Sequence, residues 1–278
     1  MAKKKSYQPV YRQFIDEIEK GFFLLDETSR AEVAAFVKTQ QHKNGAFTDR
    51  AGNPDLYYSL FGVWLAKALK MDEQQTKLKQ YISSFQKEKE KIADKFSLLL
   101  ISLVLEDKNF EKSSFFKLSR WVLKGGKNLN PAYRFFLFLL SFDALYGKNQ
   151  VVYFFVRIFL NFHKFSGDLP CSFYSAILLA KFLTGQNVEN EAAVLLGYFE
   201  NEKGFKVFRE QGNADLLSTA VALFALKKVG HDLRTLAPDC LNLVQENYEN
   251  GAFLSGDGDL SRDMEYTFYG LLTLGTLL

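Results

Sequence analysis

The stretch NGAFLSGDGDLSRDMEYTFYGLL, residues 250–272, joins a glycine turn, a polar loop and the first half of an apolar helix. Two earlier stretches follow the same order: QQHKNGAFTDRAGNPDLYYSLFGVWL at 40–65 and FENEKGFKVFREQGNADLLSTAVALFAL at 199–226. In each, a Gly comes one or two residues before a Phe, and an Asp precedes the apolar run. Internal repetition of this kind predicts an architecture built from similar structural units.

The apolar runs share a register when they are aligned on an Asp. A Ser or Thr follows four residues after this Asp and a small residue follows seven after it, so all three lie on one helix face. The aligned acids are Asp55, Asp168, Asp215 and Asp263. An Asp at this place accepts hydrogen bonds from the free N–H groups of the first helical turn. We therefore predict that each of the four caps the N-terminus of a helix.

Two more apolar runs, at 92–105 and 130–147, extend the series. The sequence thus predicts six apolar helices, near residues 55–69, 94–105, 131–146, 168–184, 215–229 and 263–277. Amphipathic segments such as 72–91 lie between them, and the run at 151–160 is also predicted to be helical because no turn signal follows it. Helices that are apolar all round belong inside, and those with one polar face belong outside.

The predicted fold is all-α and forms a single domain, 1–278. An inner ring of six helices wrapped by an outer ring is the natural closure for this pattern, and such an arrangement is an α/α toroid, or α6/α6 barrel. The length of 278 residues, 47% of them hydrophobic, is sufficient for one large core.

Composition and charge exclude some classes of partner. The 35 basic and 32 acidic side chains give a net charge of only +3, which does not favour nucleic acid as a partner. The most apolar run, at 151–162, contains Arg157 and is shorter than the ~20 residues that cross a bilayer, so we expect no membrane span. Two cysteines in a chain of this length suit a reducing compartment, and we expect a cytoplasmic protein.

The pattern of Gln41, Gly45 and Phe47, followed by an Asp-headed apolar helix, resembles the repeats of protein prenyltransferase β-subunits and squalene cyclases. These proteins belong to the terpenoid cyclase/prenyltransferase superfamily. The resemblance extends over most of the chain and is closest in the first repeat and the last two. It implies an α/α toroid with a central cavity for an isoprenoid or polyene-like ligand.

In protein prenyltransferases these repeats also carry a zinc site, and the resemblance places its ligands at 215, 217 and 266. Asp215 is retained, but Leu217 stands in place of a Cys and Tyr266 in place of a His. Leu cannot bind zinc, and a neutral Tyr is a poor substitute for imidazole. We therefore predict that the chain lacks this zinc site and uses no metal or other cofactor.

The resemblance further implies a diphosphate-binding cluster in the same loops. Arg209 matches one Arg of that cluster, whereas Gly212 and Ser218 replace a Lys and a Tyr. A diphosphate normally requires several charge-assisted hydrogen bonds. Arg209 is interpreted either as a ligand contact or as a solvated loop residue.

An acidic loop, GDGDLSRDMEY at 256–266, precedes the last apolar helix. Crowded carboxylates can raise the pKa of one of their number for acid catalysis or hold a hard cation. The alternative interpretation is a polar loop that ends in a helix cap. The acid and magnesium motifs of the cyclases are absent from the sequence.

Three functions remain open. The first is the binding of a hydrophobic ligand in the central cavity, with Arg209 and Asp215 nearby. The inner-helix residues expected to contact this ligand are Tyr58, Trp64, Cys171 and Tyr174. Cys171 has a second interpretation as a buried structural thiol.

The second function is that of a zinc-independent enzyme, similar to a prenyltransferase or a terpene cyclase. Its catalytic residues would be Asp263, Glu265 and Tyr266. The third is a non-catalytic scaffold that binds a protein partner through charged helices such as 70–91. Bound lipid, turnover of a prenyl diphosphate and a co-purifying protein would distinguish the three.

Overall fold

The computed structural model describes residues 7–84, 92–106, 118, 120, 131–147, 149–162, 168–210 and 212–278, with the backbone alone at 92–93 and 131–136. These residues form twelve α-helices and four strands of two residues each. The helices are α1 (Val10–Leu24), α2 (Glu27–Thr39), α3 (Leu56–Ala68), α4 (Asp72–Ser84), α5 (Ile92–Val104), α6 (Pro131–Tyr146), α7 (Gln150–Phe162), α8 (Cys171–Leu183), α9 (Glu189–Leu196), α10 (Leu216–Lys228), α11 (Ala237–Glu246) and α12 (Met264–Thr276). The structure is mostly helical, which confirms the predicted class.

Helices occupy all six positions predicted to be apolar: α3, α5, α6, α8, α10 and α12. The run at 151–160 belongs to helix α7, as predicted. Of the charged segment 70–91, residues 72–84 form α4, and 85–91 lie outside the described residues.

The predicted cap at Asp168 is wrong. Helix α8 begins at Cys171, with Pro170 as its N-cap residue and no side-chain cap. A residue that precedes a proline is kept out of the helical region, so Leu169 cannot belong to the helix and the helix starts later than predicted. Asp168 is exposed and instead accepts a hydrogen bond of 3.3 Å from the backbone N–H of Arg209.

The glycine and phenylalanine of each repeat form a tight hairpin. Strand β1 (Phe199–Glu200) pairs antiparallel with β2 (Gly204–Phe205), and β3 (Tyr248–Glu249) pairs with β4 (Ala252–Phe253). The backbone N–H of Phe205 donates to Thr219 Oγ1 at 3.0 Å, and that of Phe47 donates to Ser59 Oγ at 2.9 Å. The hydroxyl four residues after the Asp therefore anchors the hairpin to the helix that follows it.

The small residue seven positions after the Asp makes room for the hairpin's aromatic ring. A Cβ added at Gly62 would lie 2.6 Å from Cε2 of Phe47, and one added at Gly270 would lie 2.6 Å from Cδ1 of Phe253. Both rings are fully buried. The repeated spacing in the sequence thus reflects the same packing in both repeats, with the Phe ring of the hairpin against the small residue of the helix that follows.

The six apolar helices contact one another in chain order. Helix α3 packs against α5, α5 against α6, α6 against α8, α8 against α10, and α10 against α12. The last of them, α12, packs against the first, α3. Shorter helices pack against members of this series: α4 against α3 and α5, α9 against α8, and α11 against α10 and α12.

Helix α1, which the sequence did not predict, packs along α12 and reaches the C-terminal ends of α3, α6 and α10. It packs most extensively against α12 and also contacts α3 and α6. Glu17 pairs with Lys227 at the end of α10 at 3.2 Å, and Glu19 pairs with Lys70 just after α3 at 2.8 Å. The backbone N–H of Val10, at the start of α1, donates to the Asp143 carboxylate near the end of α6 at 2.6 Å.

Rings from α1 and its neighbours fill the space between them. The Phe14 ring lies 6.0 Å from Trp64, 4.6 Å from Phe224 and 5.8 Å from Phe268, measured between centroids. All four side chains are fully buried. Packed rings therefore occupy the space between α1 and the facing sides of α3, α10 and α12.

Candidate functional site

Three of the predicted helix caps are present, and they bring carboxylates to one end of the molecule. Asp55 accepts the backbone N–H of Tyr58 at 2.9 Å, Asp215 that of Ser218 at 2.7 Å, and Asp263 that of Tyr266 at 2.8 Å. Each Asp has an extended backbone. Its carboxylate accepts a hydrogen bond from an N–H group in the first turn, which has no carbonyl acceptor within the helix. The three caps lie at the N-termini of α3, α10 and α12.

Arg50 links the first repeat to the last at this end. Its guanidinium donates to Asp263 at 2.7 Å and to Asp259 at 2.5 Å, and it lies 5.9 Å from the centre of the Tyr266 ring. Arg50 belongs to the loop before α3, and no spacing in the sequence relates it to Asp263. Sequence reasoning missed it for this reason.

Glu265, in the first turn of α12, lies beside this pair. Its side chain keeps some solvent contact, yet protein atoms surround the carboxyl group on most sides. Desolvation by these atoms raises the pKa of Glu265 to about 7. A hydrogen bond from Tyr57 opposes this rise, and the charges of Asp263 and Asp215 add to it. Glu265 therefore changes protonation state near neutral pH.

Tyrosine rings lie next to Glu265. Tyr57 contacts Tyr58 at 5.2 Å and Phe61 at 5.1 Å between ring centroids, and Tyr266 contacts Tyr269 at 6.3 Å. Burial raises the pKa of Tyr58 to about 12, and burial together with the nearby carboxylates raises the pKa of Tyr266. Both phenols are therefore neutral hydrogen-bond donors at physiological pH.

The surroundings of Glu265 are acidic. Burial raises the pKa of Asp215 to about 6, and the charge of Asp257 adds to this effect. Within the loop, the Ser255 hydroxyl donates to Asp257, and the backbone N–H of Ser261 donates to Asp259 at 2.9 Å. Asp257 and Asp259 thus have partners within the loop, and Arg50 is the cation that the structure places against this group of carboxylates.

The structure separates the residues predicted to contact a ligand. Tyr58, Asp215, Asp263, Glu265 and Tyr266 come together near the N-terminal ends of α3, α10 and α12. The roles predicted for them in catalysis and ligand binding stay predictions. Trp64 lies further along α3 within the packed rings, and its buried Nε1 has no hydrogen-bond partner among the described residues.

Cys171, Tyr174 and Arg209 belong to a neighbouring group. The Cys171 thiol is fully buried and lies 3.7 Å from the Ser218 carbonyl oxygen, and burial raises its pKa well above the ordinary value. Tyr174 packs against Tyr198 at 5.8 Å between ring centroids. Arg209 is exposed, with its guanidinium beside Gly197 at the end of α9. The geometry of Cys171 matches a structural thiol.

Within the part of the chain that the structure describes, no group of three or more His, Cys, Asp or Glu side chains is arranged to hold a metal ion. Over the same residues, every helix is too short or too polar to cross a membrane. Comparison with protein-family models, with curated proteins and with solved structures finds no match to this chain.

Proposed function

We propose that the six apolar helices close into an α/α toroid and that the chain binds an apolar, isoprenoid- or polyene-like molecule at the N-terminal end of the ring. Two features of the packing support closure: contacts run in chain order from α3 to α12, and α12 also contacts α3. Helix α1 packs against the other ends of α3 and α10, and we therefore place the ligand beside Glu265. The two cysteines, Cys171 and Cys240, are buried free thiols, which agrees with the cytoplasmic location that we propose.

The observation that carries this proposal is the state of Glu265. Its pKa of about 7 means that a large fraction of the carboxyl groups are protonated at neutral pH, and a protonated carboxyl donates a hydrogen bond. Tyrosine rings surround it, and such rings contact an apolar chain while their hydroxyl groups supply further donors.

The hydrogen-bond donors around Glu265 indicate which kind of ligand the site would bind. A molecule with an apolar body and one oxygen acceptor, such as a ketone or an ether, matches a protonated Glu265 and neutral Tyr58 and Tyr266. A diphosphate does not match, because it would meet Asp215, Asp263 and the other carboxylates near Glu265 and be repelled by them. The proposed ligand is therefore an uncharged isoprenoid rather than a prenyl diphosphate.

The test is a titration of the purified chain with farnesyl acetone, a linear isoprenoid ketone, followed by isothermal calorimetry between about pH 5 and pH 9. We expect the affinity of wild type to fall as the pH rises above about 7, by up to tenfold per pH unit, because ionised Glu265 cannot donate. Glu265→Gln keeps a donor at every pH, so its affinity should not change with pH. Glu265→Ala should bind about tenfold more weakly than wild type at the acidic end.

Glu246→Gln, at the exposed end of α11, serves as the matched control and should follow wild type at every pH. Farnesyl diphosphate should bind more weakly than the ketone. The proposal is wrong if the ketone does not bind, if the diphosphate binds more tightly, or if wild type and Glu265→Gln show the same dependence on pH.

A further inference from the structure

Helix α7 has apolar residues on two opposite faces. One face packs on the rest of the chain: Leu160 is buried, and the Tyr153 hydroxyl donates to Asp143 at 3.1 Å. The other face is exposed to solvent. Its exposed side chains, with their exposed fractions, are Val151 (67%), Phe154 (58%), Phe155 (57%), Ile158 (37%), Phe159 (49%) and Phe162 (84%). A continuous apolar surface of this kind marks an interaction site.

The spacing along this face is that of a helix pair. Residues 151, 155, 158 and 162 follow one another at intervals of four, three and four, which places them along one seam of a helix. Around a twofold axis through the middle of the seam, Val151 would face Phe162 of the partner subunit, and Phe155 would face Ile158 of the partner subunit. Each ring then meets a smaller aliphatic side chain, so the seam is complementary to itself.

We propose that this chain forms a twofold dimer in which α7 packs antiparallel against α7 of a second copy. The four phenylalanines alone expose about two and a half rings' worth of surface, on the order of 500 Å² at ~200 Å² a ring. That is more than half of the ~800 Å² that each partner contributes to a stable interface.

Charge favours a second copy over a membrane surface. Arg157 is the only charged residue in the sequence of α7. Depletion of charge is typical of the core of a homodimer interface, whereas helices that lie on anionic membranes are rich in Lys and Arg. The occupant that fits this face is therefore the same apolar face of another molecule.

The test is sedimentation equilibrium of the full chain over a range of protein concentrations. We expect wild type to be in monomer–dimer equilibrium, and Phe155→Ala to raise the dissociation constant about 30-fold, because each dimer loses two rings. Phe162→Ala, at the more exposed end of the helix, should act in the same direction with less risk to folding. Leu241→Ala, which truncates an exposed side chain on α11, is the matched control and should leave the constant unchanged.

Wild type that stays monomeric at every concentration overturns the proposal. So does a dimer that both Phe variants leave intact while their circular dichroism spectra match that of wild type. Wild type that is monomeric but floats with phosphatidylcholine or phosphatidylserine vesicles would identify the face as a membrane-surface site and would equally exclude the dimer.

Discussion

Gly275→Ala lowers the free energy of unfolding by about 4 kcal/mol, the largest effect that we expect of any single substitution in this chain. A Cβ at this position would overlap the Glu17 carbonyl oxygen and lie 2.6 Å from the Glu17 carbonyl carbon. A Cβ at Gly21, on the facing helix, would likewise overlap the Leu271 carbonyl oxygen. Backbone therefore meets backbone where α1 crosses α12, and no rotamer change can relieve the clash. Helix α1 has to move away from α12 and lose contacts with its buried side chains.

The intrinsic preference of helices for Ala opposes this loss by only about 1 kcal/mol, so the clash dominates. The measurement is urea unfolding followed by circular dichroism. Gly197→Ala is the matched control, because the new Cβ would lie 3.1 Å from a backbone oxygen and otherwise meet the flexible end of Arg209. The control should change stability by no more than about 1 kcal/mol. A Gly275→Ala variant as stable as this control would show that α1 does not lie against α12.

Asp143→Ala lowers the free energy of unfolding by about 3 kcal/mol near pH 5. The Asp143 carboxyl is fully buried and accepts from the Val10 N–H at 2.6 Å, from the Tyr153 hydroxyl at 3.1 Å and from the Tyr7 hydroxyl. It thus caps α1, whose own N-cap residue, Pro9, offers no side-chain acceptor. Removal of the carboxyl leaves three donors without this acceptor and releases the start of α1.

The loss in free energy of unfolding caused by Asp143→Ala should be smaller near pH 8. Burial raises the pKa of Asp143 from 3.8 to about 6, so between these values the folded chain holds a proton that the unfolded chain has released. The contribution of this group to stability is therefore fully present below about 3.8, falls as the pH rises from there to about 6, and is lost above that value. Unfolding of both proteins at several pH values measures the difference. Asp16→Ala removes an exposed acid on the same helix and should match the stability of wild type at every pH. A loss of stability in Asp143→Ala that grows as the pH rises would contradict this account.

Local features of the fold could be predicted from the sequence, because short-range chemistry determines them. Asp55, Asp215 and Asp263 cap their helices as the repeat predicts, since a cap needs only a carboxylate three residues before a free N–H. Asp168 belongs to the same alignment and fails, because Pro170 two residues later moves the start of α8. A repeat alignment that took no account of the proline could not reveal this.

The site depends on contacts between distant parts of the chain, which no local pattern contains. Arg50 and Asp263 are 213 positions apart in the sequence, and they meet only because α3 packs against α12. Helix α1 was missed for a different reason. Val10, Phe14 and Ile18 follow one another at intervals of four. This spacing is typical of an amphipathic helix, but it precedes the first repeat and does not share its pattern.

The most direct test of the proposed ligand site is a titration of the Glu265 carboxyl by ¹³C NMR, with Glu265→Gln used to assign the signal. We expect a pKa of about 7 in the free protein. Farnesyl acetone should raise it further, because the bound ketone accepts a hydrogen bond only from the protonated carboxyl. A pKa close to the ordinary value of 4.5, unchanged by the ketone, would contradict the proposed site.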